Sequence, residues 1–138
     1  MINPPPLALR RCAEELYIAA QREFQFDPDA AALLLFYAAE CGLKSIYMTQ
    51  NNLKDTADTR GSARPVRSYV HNLIHISIAL RMPNTVYAPI PNFIIARTGG
   101  LIDVSQLHQA WRYGERIVDT HAIYHWLLNL FDWVKRNR

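Results

Sequence analysis

The chain has 138 residues, half of them hydrophobic and 20% charged; this is enough for one packed core and too short for an enzyme with a separate cofactor-binding domain. Fifteen basic against twelve acidic residues leave a net charge of +3, too small to make nucleic-acid binding the default reading, although twelve of the fifteen are arginine. The longest uninterrupted apolar run, residues 30–39, has half the length of the roughly 20 residues a bilayer span needs, so no membrane segment is expected. The first six residues lack the basic start and apolar run of a secretory leader, and Cys12 and Cys41 read as two reduced core thiols; both point to a cytoplasmic protein.

Taken in chain order, the pattern is helix after helix. Following Pro4-Pro5-Pro6, apolar or small residues recur at Leu9, Cys12, Ala13, Leu16, Tyr17, Ala20 and Phe24 with helical spacing. Asp27-Pro28 has the form of an N-cap followed by proline in the first turn, where the missing amide hydrogen costs nothing. The helix it opens should run from about Pro28 to Thr49, and its first half is apolar nearly all round, which predicts a central rod with neighbours on several sides. Residues 51–68 carry asparagines, aspartates, Gly61 and Pro65 and predict an exposed loop. A third helix is expected to carry Tyr69, Leu73, Ile76 and Leu80 on one stripe and to end before Pro83.

Residues 82–102 are expected to be an irregular, proline- and glycine-containing connection in which Phe93 to Ala96 act as an apolar anchor and Thr98-Gly99-Gly100 as a turn. Asp103 should cap a short helix through Leu107 and Trp111. The last helix should start near Gly114 or Glu115, with Ile123, Leu127, Leu130 and Val134 inward, within about 40° of one another on a helical wheel. The predicted fold class is all-α: an up-and-down bundle of four main helices with one or two short extra helices, forming a single domain over residues 1–138.

Three segments, in order, resemble HEPN domains: Tyr37-Ala38-Ala39-Glu40-Cys41-Gly42-Leu43-Lys44-Ser45-Ile46, their second helix; His71-Asn72-Leu73 with Ile76, the start of their third; and Arg112-Tyr113 before an amphipathic last helix. The resemblance implies a four-helix bundle, frequently a homodimer, in bacterial or archaeal proteins tied to RNA cleavage, toxin–antitoxin pairs or defence. Its partners would be RNA or a protein such as a nucleotidyltransferase. Active members of that family carry Arg followed after four to six residues by His, a pair that cuts RNA without metal or other cofactor.

Two segments have that spacing: Arg116 with His121, and Arg64 with His71. Random placement of twelve arginines and five histidines yields roughly 1.3 such matches. Ile117 and Pro65 stand where a polar residue usually follows the Arg, and residues five apart on a regular helix diverge by about 140°. Two readings follow. The preferred one is a non-catalytic HEPN-like module that dimerises or binds a partner or RNA; the other is a metal-independent endoribonuclease using Arg116 and His121 or, second, Arg64 and His71. The binding surface would be the arginines of the loop, Arg60, Arg64 and Arg67, with the polar stripe His125, Asn129 and Asp132 beside His121. Glu40 is expected to pair with Lys44 one turn on and, if buried, with Arg112. The histidine pairs His71/His75 and His121/His125 have metal spacing but no evident third ligand, so no metal site is expected. No serine-nucleophile, paired-carboxylate or dinucleotide motif is present.

Overall fold

The computed structural model describes residues 2–60 and 63–138; Gly61 and Ser62, part of the expected 51–68 loop, lie outside the described residues. The chain is mostly helical. Three long rods, α1 (Pro6–Glu23), α2 (Pro28–Gln50) and α6 (Thr120–Asn137), carry the main packing, with α2 against both of the others. Shorter helices α3 (Leu73–Ala79), α4 (Asn84–Tyr87) and α5 (Val104–Arg112) and a hairpin of β1 (Phe93–Ile94) and β2 (Leu101–Ile102) complete it.

The central rod is the one the sequence marks. The Asp27 carboxylate accepts from the Ala30 amide at 3.2 Å, Pro28 opens the first turn, and thirteen of the residues of α2 are buried. By length and composition α2 would be apolar enough to cross a membrane, which the count of uninterrupted apolar residues overlooked; 72% of its most apolar window is buried inside the protein. Opposite it, α6 turns Ile123, Leu127, Leu130, Phe131 and Val134 inward, each at most 1% exposed. Burial of such side chains contributes about 1.5–3 kcal/mol apiece, and this seam holds α6 to the body.

Three expectations are corrected. The third helix is a 3-10 turn, residues 66–69, then a break before α3, because Val70 and His71 both take left-handed backbone (φ 42° and 59°). Phe93–Ile94 is a strand: its partner follows the Thr98-Gly99-Gly100 turn, in register Phe93 to Ile102 and Ile94 to Leu101. The last helix begins at Thr120, since residues 116–118 are committed to that hairpin: the Ala96 amide donates to the Arg116 carbonyl and the Val118 amide to the Ile94 carbonyl, both at 2.8 Å. Once those backbone groups are paired they cannot enter a helical turn, and Asp119, itself left-handed (φ 56°), makes the corner. The 51–68 segment is less exposed than its composition suggests: Leu53, Thr56 and Val66 are buried, and the Tyr47 hydroxyl donates to the Arg64 carbonyl at 2.8 Å.

Candidate functional site

The chemistry-bearing groups gather where α2, α3 and α5 meet. Glu40, one residue past the Ala38-Ala39 pair of α2, is 6% exposed. A carboxylate taken from water costs several kcal/mol unless it is paired, and two groups meet it: the Lys44 ammonium, Nζ at 3.3 Å from the next turn, and the His71 imidazole, Nδ1 at 2.8 Å. Burial pushes the Glu40 carboxyl up, but the His71 hydrogen bond and the Lys44 charge together outweigh it and hold it below the usual value. The left-handed pair Val70 and His71 delivers the imidazole to this point. Such backbone costs about 1–2 kcal/mol per residue, most plainly for a β-branched valine, and persists where surrounding contacts impose it.

His108, on α5, lies against His71 with ring centroids 3.9 Å apart and the rings tilted by 35°, and also contacts Phe36 and Tyr37. It is 3% exposed and its Nδ1 has no hydrogen-bond partner of ordinary geometry. Burial, then the neighbouring His71, lower its pKa from the ordinary 6.5, against a pull from Glu40 and a weak one from the Ser105 carbonyl. A site of this kind has a definite chemical capacity. With Glu40 accepting from Nδ1–H, the other ring nitrogen of His71 is left as a base, and the side chain is 38% exposed, so it can reach a proton on a bound molecule.

The lowered pKa of His108 carries a sign. The fold favours neutral His108, so its contribution to stability is complete above the unfolded value of about 6.5 and is lost as the pH falls from there through the folded value. Between about pH 7.5 and about pH 5.5 the urea midpoint of the wild type should fall more steeply than that of His108→Phe, which keeps a ring against Phe36 and Tyr37. Parallel curves would remove His108 from the account.

The expected pairing of Glu40 with Arg112 is not formed. Arg112 lies beside the cluster instead, its guanidinium carbon 5.8 Å from the Tyr113 ring centroid and its charge acting on His108 and on Tyr37, whose hydroxyl burial pushes up. Histidine supplies the partner because the break before α3 brings it closer than the end of α5 does.

Nor do the spaced pairs meet. Arg116 precedes α6 and extends back to the start of α2, where its Nη1 lies 3.0 Å from Asp27 Oδ1 and 3.1 Å from Asp29 Oδ2. His121 is exposed and lies edge-on to Phe24, centroids 5.2 Å apart. Arg64 folds onto its own turn, donating from Nε to the Ser68 hydroxyl at 2.8 Å and covering the Tyr69 ring at 4.3 Å, while His71 is bound to Glu40. Arg60 pairs with Asp58 at 3.5 Å, and Arg67 is exposed and not without interactions. On the outer face of α6, His125 and Asn129 line an open groove of about 510 Å³ with Pro89, Ile90 and Trp126, and Asp132 pairs with Lys135 at 3.3 Å.

Asp29 was not singled out in the sequence, and it ties three elements together. Its Oδ1 accepts from Trp111 Nε1 at 3.0 Å and Thr120 Oγ1 at 2.9 Å while Oδ2 meets Arg116. An acidic residue in the first turn of a helix is ordinary, so nothing local could have marked it. His108 was equally unmarked, one histidine on an amphipathic stripe. Among the described residues no three His, Cys, Asp or Glu side chains gather to hold a metal ion. Comparison with protein-family models, with curated proteins and with solved structures finds no match to this chain.

Proposed function

We propose that the chain is a HEPN-like helical module that acts by binding, as a homodimer or with RNA or a protein partner such as a nucleotidyltransferase, in a defence, toxin–antitoxin or mobile-element setting of a bacterial or archaeal cell. In this reading α1, α2, α3 and α6 are the four rods of an up-and-down bundle, and the three family-like segments fall on α2, at the start of α3 and at the end of α5. One observation supports the non-catalytic part: the guanidinium of Arg116 is already paired with the carboxylates of Asp27 and Asp29, which offset the positive charge a scissile phosphate would need, while His121 lies edge-on to Phe24. The groove beside His125 and Asn129, with half-exposed Ile90 at its rim, supports a surface role for the outer face of α6.

A second reading is kept for one specific observation, the hydrogen bond of His71 to Glu40. In a metal-independent endoribonuclease of this form, the free nitrogen of His71 takes the proton of the RNA 2′-hydroxyl and Lys44 supplies positive charge. Incubation of single-stranded RNA with the purified protein in EDTA separates the readings. Under the binding proposal RNA stays uncut and light scattering gives about twice the 15.9 kDa of one chain. Cleavage abolished by His121→Ala in a folded protein would overturn that proposal and restore the Arg116–His121 pair; cleavage abolished by His71→Ala and kept by His121→Ala would favour the second reading.

A further inference from the structure

The two cysteines do not occupy the positions expected of buried core thiols: Cys12 is exposed and Cys41 half-buried, and both are free. They lie on the two arms of the α1–α2 hairpin, Cys12 eleven residues before the end of α1 and Cys41 thirteen after the start of α2, so a short connection brings them nearly level. The arms pack along their length, and the buried residues of α1 are small, Ala13 and Ala20, while α2 carries the fully buried Ala31, Ala38 and Ala39. Small side chains at a helix contact let the axes approach closely. Across that contact Cys12 and Cys41 are near enough to perturb one another electrostatically.

We propose that Cys12 and Cys41 are a reversible oxidation site, closing to an intrachain disulfide that ties α1 to α2 when the protein meets a hydroperoxide. The order of events follows from exposure. Cys12 stands at the surface, whereas burial pushes the Cys41 thiol up to about 12, so Cys41 holds its proton and is slow to attack first. The Cys12 thiolate attacks one peroxide oxygen, the O–O bond breaks, and Cys12 becomes a sulfenic acid as the other oxygen leaves as water. The Cys41 sulfur then attacks the sulfenic sulfur; the S–S bond forms as the S–O bond breaks, and the hydroxyl leaves with the Cys41 proton as a second water. Two thiols and one hydrogen peroxide thus give one disulfide and two waters.

The full chain, treated with one equivalent of hydrogen peroxide, should lose about 2 Da in intact mass, lose both titratable thiols and yield a peptide linking Cys12 to Cys41. Its melting midpoint should rise by on the order of 5–10 °C, and dithiothreitol should reverse all three changes. Cys41→Ser should instead retain oxygen on Cys12, and Cys12→Ser should leave Cys41 unreacted. The inference is overturned if the wild type, with a native circular dichroism spectrum, gains oxygen without losing two hydrogens, or if its only disulfide joins Cys12 of two chains.

Discussion

Truncating Leu127 to alanine is expected to destabilise the protein by about 2–5 kcal/mol. Leu127 is fully buried at the middle of α6, with Ile123, Leu130 and Val134 along the same stripe and Phe131 beside it, each 1% exposed. A large-to-small change in such a place loses the transfer free energy of the removed carbons and leaves a cavity. The neighbouring core relaxes only partly into such a cavity, so the cost exceeds the transfer term alone. Changes on the other face of the same helix set the scale: His125 and Asn129 are exposed, and alanine at either should stay within about 0.5 kcal/mol of the wild type. Urea unfolding followed by circular dichroism, with an unchanged m-value, reads both effects. A Leu127→Ala protein as stable as His125→Ala would mean that the stripe does not face the core.

What could be read in advance was what periodicity and capping encode. The stripe from Ile123 to Val134, the Asp27-Pro28 start and the Asp103 cap all depend on residues within a turn or two of one another. The misreadings share a different origin. The end of residues 114–119 is fixed by a hairpin twenty residues earlier in the chain, so local helical pattern could not locate the first turn of α6. The partner of Glu40 was decided by a left-handed break at Val70 and His71, and a β-branched valine does not announce such backbone. Cys12 sits at helical spacing among apolar neighbours, yet it lies at the edge of the stripe, and spacing alone does not separate the edge from the centre.

The site was legible by parts. Glu40, Lys44, His71 and Arg112 were all marked by residue type and position, but only three of them come together, and His108 completes the group from α5. The spaced Arg and His pairs show the reverse: the sequence aligns them, and the tertiary structure gives Arg116 to Asp27 and Asp29 and Arg64 to Ser68. A carboxylate pair at a helix start is a stronger attraction for a guanidinium than an imidazole five residues on.

The core rests on α6 being seated against α2, and at Gly42 the two helices approach closely. A Cβ at Gly42 would stand 2.7 Å from Val134 Cγ1 and 3.3 Å from Cγ2. Val134 is β-branched and 1% exposed, so it has one comfortable rotamer in a helix and nowhere to turn. Alanine at Gly42 gains up to about 1 kcal/mol of helix propensity but incurs about 1–3 kcal/mol of overpacking, so Gly42→Ala should be destabilising overall. In a Val134→Ala background the clash is gone and the propensity gain remains. The most direct measurement is therefore the double-mutant cycle by urea unfolding: Gly42→Ala lowers stability in the wild type and raises it in Val134→Ala, with a coupling of about 1–3 kcal/mol. An identical effect of Gly42→Ala in both backgrounds would contradict the packing of α6 on α2.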